Sequence, residues 1–197
     1  MRTLGRAFIY AALCLLVLVG SGKGFFHKRK EPTSPAQDYF EKLGIERPGK
    51  KIPAPEFALE ALSGKHVALK DLRSKVVFLN FWATWCVPCR QEMPAMEKLH
   101  RELKDHGVTV VAINFRESRK EVQKFFNELG LTFTALLDKN GAVSEDYGAW
   151  SIPVSYFIDR RGAFLGKAVG PRRWDSQQAK EFFRGLLEEK TLVEGRQ

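Results

Sequence analysis

The chain has 197 residues, 44% of them hydrophobic and 12% aromatic, with three cysteines and a formal net charge of +9. That is enough apolar material for a packed core, which excludes wholesale disorder and collagen-like repeats, and too little cysteine for a small disulfide-stapled scaffold. The charge does not point to a nucleic acid: residues 1–30 carry Arg2, Arg6, Lys23, Lys28, Arg29, Lys30 and no acid, so most of the excess lies beside an apolar stretch, and no base-stacking or recognition-helix pattern accompanies it.

That stretch, Ala7 to Gly22, reads AFIYAALCLLVLVGSG and holds no charge. As a helix it would reach about 24 Å, short of a bilayer core of roughly 30 Å. Two readings follow for residues 1–26. One is a retained anchor, with Lys23 snorkelling and Phe25 and Phe26 extending the apolar part. The other is a secretory signal ending in the small residues Gly20–Gly22, although no A-x-A cleavage pattern stands there. The anchor is favoured. Cys14, inside the run, reads as a small hydrophobe. Basic residues flank the run on both sides in nearly equal number, so charge alone does not orient it. Residues 27–52 shift to Pro, Gly, Lys and Glu and read as a tether, with one or two helical turns around Tyr39–Leu43.

Residues 53–190 make one domain of ordinary size, and 191–197 a tail. Phe57–Leu59 and Val67–Leu69, around Ser63-Gly64-Lys65, predict a hairpin. VVFLNFW, Val76–Trp82, is nearly all apolar and predicts a strand buried on both faces. A helix is expected from about Cys86 to His106, kinked at Pro94, then a second buried strand over Val108–Asn114. Ser118-Arg119-Lys120-Glu121 is a capping box for a helix whose Val122, Phe125, Phe126 and Leu129 fall at helical spacing. Ala135–Leu137 predicts a short strand and Asp138–Gly141 a turn, with a short helix ending near Tyr147. Pro153–Ile158 and Phe164–Val169 form an antiparallel pair across Arg160-Arg161-Gly162. A last helix, capped at Asp175–Gln178, runs to about Glu189. Helices alternating with buried strands, closed by a hairpin, predict an α/β fold: a mixed sheet with helices on both faces.

One motif carries chemistry: Trp82-Ala83-Thr84-Trp85-Cys86-Val87-Pro88-Cys89-Arg90. It is a C-x-x-C between a buried strand and the start of a helix. At that helix N-terminus the unpaired N–H groups and the macrodipole favour an anion, so Cys86 is placed to be a thiolate, the attacking species in disulfide exchange. Cys89, one turn on and shielded, is the natural resolving thiol. Pro88 stiffens the first turn, where its missing N–H costs little. A zinc site through Cys86, Cys89, His100 and His106 is two residues short of the usual spacing and leaves the buried strand unexplained. Covalent haem attachment needs a His where Arg90 stands. A peroxide-reducing enzyme carries Thr three residues before its cysteine, where Ala83 precedes Cys86. No glycine-rich loop cradles a phosphate, so no nucleotide, flavin or metal is expected beyond the Cys86–Cys89 redox pair itself.

FWATWCVPCRQEMP, the strand before it and the later IPVSYFIDRRG resemble the TlpA/ResA-type thioredoxin-like thiol–disulfide oxidoreductases, a group that includes the cytochrome c maturation reductases. The resemblance implies a thioredoxin-like fold with an N-terminal hairpin and an inserted strand-helix, held by its anchor on the extracytoplasmic side of the membrane. It implies reduction of protein disulfides, apocytochrome c among them, with re-reduction by a membrane electron donor. It implies that Pro153 is cis and faces the C-x-x-C, leaving the Ile152 backbone to pair with a substrate segment. Val154 departs from the Thr common there. Trp85 and Pro88 would face substrate and Trp82 the core. Glu92 would accept the proton of Cys89, its own pKa raised by burial, and Glu117 would support proton transfer. A thioredoxin-fold module that senses redox state or docks a partner without turnover is the alternative.

Overall fold

The computed structural model describes residues 35–194. The apolar run at Ala7–Gly22, with its anchor and signal readings and Cys14, lies outside them. No helix among the described residues is long and apolar enough to cross a membrane.

The first helix, α1 (Pro35–Lys42), lies within the segment expected as a tether. Its Phe40 is buried edge-to-face on Phe182, with ring centroids 4.9 Å apart. Leu43 and Ile45 are buried beside it, and Glu46 exchanges two backbone hydrogen bonds of 2.8 Å with Lys167. The globular unit therefore begins well before residue 53. Pro, Gly and charged residues dominate this stretch, but three apolar side chains suffice to dock it. Gly166 receives the segment: a Cβ there would come within 2.6 Å of Ile45 Cγ2 and 3.0 Å of the Glu46 carbonyl oxygen.

The predicted elements follow, with shifted ends. β1 (Ala58–Ala61) and β2 (His66–Ala68) form the hairpin, and Leu69 begins a 3₁₀ turn to Leu72 instead of ending the strand. β3 (Val76–Trp82) is buried throughout. α2 (Val87–Leu103) contains Pro94 and ends in a 3₁₀ turn, Lys104–His106. β4 is Val108–Phe115. The Ser118–Glu121 capping box starts α3 (Arg119–Leu129). β5 is Thr134–Asp138 and α4 Ala142–Asp146. β6 (Val154–Ile158) and β7 (Phe164–Val169) pair antiparallel. α5 (Gln177–Glu194) runs into the expected tail; its cap is Ser176, whose Oγ accepts the Ala179 N–H at 3.2 Å.

The seven strands form one mixed sheet in the order β2-β1-β5-β4-β3-β6-β7, with β3, β4 and β5 parallel and the other pairs antiparallel. Strand alternation divides the core. Val76, Phe78 and Trp82 of β3 pack with Phe157 and with side chains of α1, α2, α3 and α5. Val77, Leu79 and Phe81 pack with Phe57, Leu69, Tyr147 and Tyr156, and Val143 of α4 packs against that cluster. The helices do occupy both faces, though unevenly. The arrangement puts the N-terminus of α2 at the carboxyl end of β3, beside the start of β6, so the motif cysteines and Pro153 meet at one end of the sheet.

Candidate active site

Cys86 is the N-cap of α2, with Pro88 in the first turn. Its sulfur accepts the Cys89 N–H at 3.3 Å, and Cys86 and Cys89 are joined in a disulfide. Cys86 keeps 4% of its surface exposed and Cys89 none. The N-terminal cysteine is thus the one a partner can reach, and the second lies behind it. The residues on either side of Cys86 are apolar and exposed. Trp85 and Val87 are each 65% exposed and Trp150, just before the Pro153 turn, is 77% exposed. Trp82 is wholly buried, 4.7 Å from Phe125 between ring centroids.

The Ile152–Pro153 bond is cis, as the resemblance implied. Pro153 accepts the Gly170 N–H at 2.8 Å, which fixes the turn to the end of β7. Among the described residues, no hydrogen bond engages the backbone of Ile152.

Glu92, one turn beyond Cys89, is 2% exposed. Oε1 accepts from Asn80 Nδ2 at 2.9 Å; Oε2 accepts from Trp174 Nε1 at 3.0 Å and from the Arg172 N–H at 3.1 Å. Burial pushes its pKa up to about 7, against the downward pull of these three hydrogen bonds and of the Arg172 charge. The folded state keeps a proton that the unfolded chain, at its ordinary 4.5, releases. The contribution of protonated Glu92 is full below about 4.5 and is lost as pH rises through about 7. Its span is on the order of 3 kcal/mol. Glu92→Gln is expected to flatten this component. Urea unfolding of the disulfide form across pH reads it as the difference between wild type and variant, and a difference that does not change with pH would contradict it.

Glu117 lies between β4 and α3. Its carboxylate accepts the Thr84 N–H at 2.7 Å, the Thr84 hydroxyl, and Asn114 Nδ2 at 2.6 Å. All these bonds run to the loop that presents Trp85 and Cys86 or to the strand end beside it. The geometry makes Glu117 a clamp on that loop. Glu117→Ala should destabilise the fold by about 1–3 kcal/mol, the usual range for removing a charged acceptor from buried donors, and should loosen Trp85. Urea midpoints together with Trp85 fluorescence anisotropy, in a variant lacking the other exposed tryptophan, check both.

Asn80, Ser155, Arg172 and Trp174 were not among the residues singled out from the sequence. Asn80 had a readable signal, as the one polar residue inside VVFLNFW. Trp174 had none, because nothing local marks an indole that reaches a helix 82 residues earlier. His100, a zinc-spacing residue, lies edge-on to Phe133 with ring centroids 6.2 Å apart, and no cluster of three or more His, Cys, Asp or Glu able to hold a metal occurs among the described residues.

The AhpC/TSA family model matches residues 50–164. The thiol-disulfide oxidoreductase ResA of Bacillus anthracis is 35% identical over 188 residues, covering 93% of this chain and 96% of that protein. The chain belongs to the ResA-type thiol–disulfide oxidoreductases. The thioredoxin-like protein YneN of Bacillus subtilis is 48% identical to this ResA-type chain over 120 residues, 59% of this chain and 69% of YneN. Among solved structures, a Chlorobium tepidum protein assigned as thiol:disulfide interchange protein DsbE superposes with a TM-score of 0.65 at 36% identity, over 70% of this chain and 97% of its own. StoA from Bacillus subtilis gives 0.58 at 25% identity, over 66% and 97%. The fold is thioredoxin-like, and the enzyme is a protein thiol–disulfide oxidoreductase.

Proposed function

We propose that this ResA-type enzyme works as a reductase through the Cys86-Val87-Pro88-Cys89 dithiol, outside the cytoplasm and tethered by residues 1–26. The observation that carries the reading is the combination at one end of the sheet: a disulfide at a helix N-terminus, an apolar exposed rim, and a buried carboxyl one turn behind. In the reduced enzyme the Cys86 thiolate attacks a partner disulfide. One partner sulfur leaves as thiolate, and a mixed disulfide forms. Cys89 gives its proton to Glu92 and attacks Cys86, releasing the partner as a dithiol and leaving the enzyme oxidised. Two electrons and two protons from a membrane dithiol donor restore it. The redox pair serves as the only cofactor.

Trp85, Val87, Pro88 and Trp150 offer apolar contact to an extended cysteine-bearing segment, with the Ile152 backbone and Pro153 beside it. Apocytochrome c before haem attachment is such a partner, a chain with paired cysteines and little fold of its own. A secreted disulfide oxidoreductase of Mycobacterium tuberculosis among the structural neighbours, at 26% identity and a TM-score of 0.56, supports the extracytoplasmic placement.

The test is a trap in the native host: with Cys89→Ala the first mixed disulfide has no resolving thiol. Mass spectrometry of the adducts on Cys86 is expected to find apocytochromes, and their absence among abundant adducts would refute that substrate.

A further inference from the structure

The Glu92 carboxyl is held asymmetrically. Both partners of Oε2, the Trp174 indole and the Arg172 amide, are donors only. A proton that arrives on Glu92 therefore has to sit on Oε1. The partner there is Asn80, which now donates through Nδ2 to Oε1 at 2.9 Å and to Ser155 Oγ at 3.0 Å. A protonated Oε1 facing that N–H₂ would bring two donors together in a site without water access.

Asn80 has an answer built in. Its Oδ1 is buried and has no hydrogen-bond partner. Asn80 and Ser155 lie opposite each other in the antiparallel pairing of β3 and β6. If the amide turns over, Oδ1 replaces Nδ2 between the same two groups. It then accepts from Glu92 Oε1–H on one side and from the Ser155 hydroxyl on the other. Both bonds persist with reversed polarity, and one buried amide atom is unpartnered before and after, so the exchange adds no new unsatisfied group.

We propose that Asn80 is a positioning residue whose amide turns over when Glu92 takes a proton, keeping Ser155, Asn80 and Glu92 linked in both charge states. Its place in turnover rests on Glu92 acting as the acceptor for Cys89. Other groups facing Glu92 are few. Arg172 comes from the segment after β7, its Nε bonded to the Leu43 carbonyl at 2.9 Å and its Nη1 to that of Pro171 at 3.0 Å. Cys89, on the same helix, is in the disulfide and does not titrate. β3 and β6 bring Asn80 and Ser155, which are neutral.

The test uses the full chain in its disulfide form, where no thiol chemistry takes part, with carbon-13 in the Glu carboxyls and nitrogen-15 in the Asn amides. Nuclear magnetic resonance is recorded across the Glu92 titration. Above the midpoint, the Asn80 N–H₂ protons should show proximity to Ser155 Hβ and Glu92 Hγ. Below it those contacts should vanish, with the same midpoint as the Glu92 carboxyl. Asn80→Leu removes a donor to the carboxylate and an acceptor for the protonated acid together, so it should shift that midpoint by less than about half a pH unit, whereas an amide fixed as a donor would give a rise of about one. Contacts that persist unchanged through the titration would overturn the proposal, as would a Glu92 that never changes charge between about pH 5 and 9. So would a midpoint raised by about one unit in the variant, the mark of an amide that serves the carboxylate alone. If Asn80→Leu does not fold, the wild-type contacts alone decide. The acceptor role itself is read separately, by the pH profile of Cys89 alkylation in the reduced Glu92→Gln enzyme, so either idea can fail without the other.

Discussion

Cys86→Ala is expected to lower disulfide reduction to the rate of the protein-free reaction, whereas Cys89→Ala should complete the first exchange and stop there. The asymmetry comes from burial. Cys86 caps α2 and keeps a small exposed surface, and Cys89 is sealed behind it. Only the first sulfur can meet a partner disulfide, and the amides of the first helical turn stabilise negative charge where it stands. Removing it removes the nucleophile outright. Removing Cys89 leaves a competent attack with no intramolecular exit, so the mixed disulfide accumulates until a small thiol releases it. Insulin reduction under a dithiol donor measures the first effect, and non-reducing mass spectrometry of the adduct measures the second. Full activity in Cys86→Ala would end the assignment.

Phe78→Ala is expected to destabilise the fold by about 3–5 kcal/mol. Phe78 is fully buried in β3 and packs on Trp174, Phe157 and Phe183, with ring centroids 4.8, 5.4 and 5.5 Å away. Truncation leaves a ring-sized cavity lined by other rings, which cannot close around it because each is held by further aromatic contacts, such as Phe157 on Phe182 at 5.1 Å. Each lost edge or tilted contact adds about 0.5–1.5 kcal/mol to the loss of burial. The urea midpoint reports the change. A loss under about 1 kcal/mol would mean that the cluster repacks. Because Trp174 belongs to both this cluster and the Glu92 site, the same variant should also disturb the acid, while Leu99→Ala on the far part of α2 should not.

Strand positions were the most legible part of the fold. β3 and β7 have the predicted ends, because runs such as VVFLNFW tolerate no other environment. The C-x-x-C was legible for the same reason that it works: its chemistry is local to one helical turn. What the sequence hid is what depends on distance along the chain. Phe40, Leu43 and Ile45 look unremarkable among prolines and lysines, yet the sheet offers them a seat against Phe182 and Gly166. Glu92 could be picked out by its offset from Cys89, but not the three donors around it, which come from β3 and from a segment roughly eighty residues later. Glu117 was placed near the site from resemblance, and its grip on Thr84 became visible only when β4 and the β3 loop were brought side by side.

The reciprocal bonds between Glu46 and Lys167 have a consequence for how the molecule behaves in company. β7 is the last strand of the sheet, and an uncovered last strand is a template on which a second chain can grow. Here that rim is occupied: Glu46 takes the ladder positions of Lys167, and the Ile52 carbonyl takes the Phe164 N–H at 2.9 Å. The opposite rim, β2, is only three residues long and starts at the exposed His66. Among the described residues one rim of the sheet is thus capped by its own chain and the other is too short to seat a long added strand, so both sheet edges resist fibre growth.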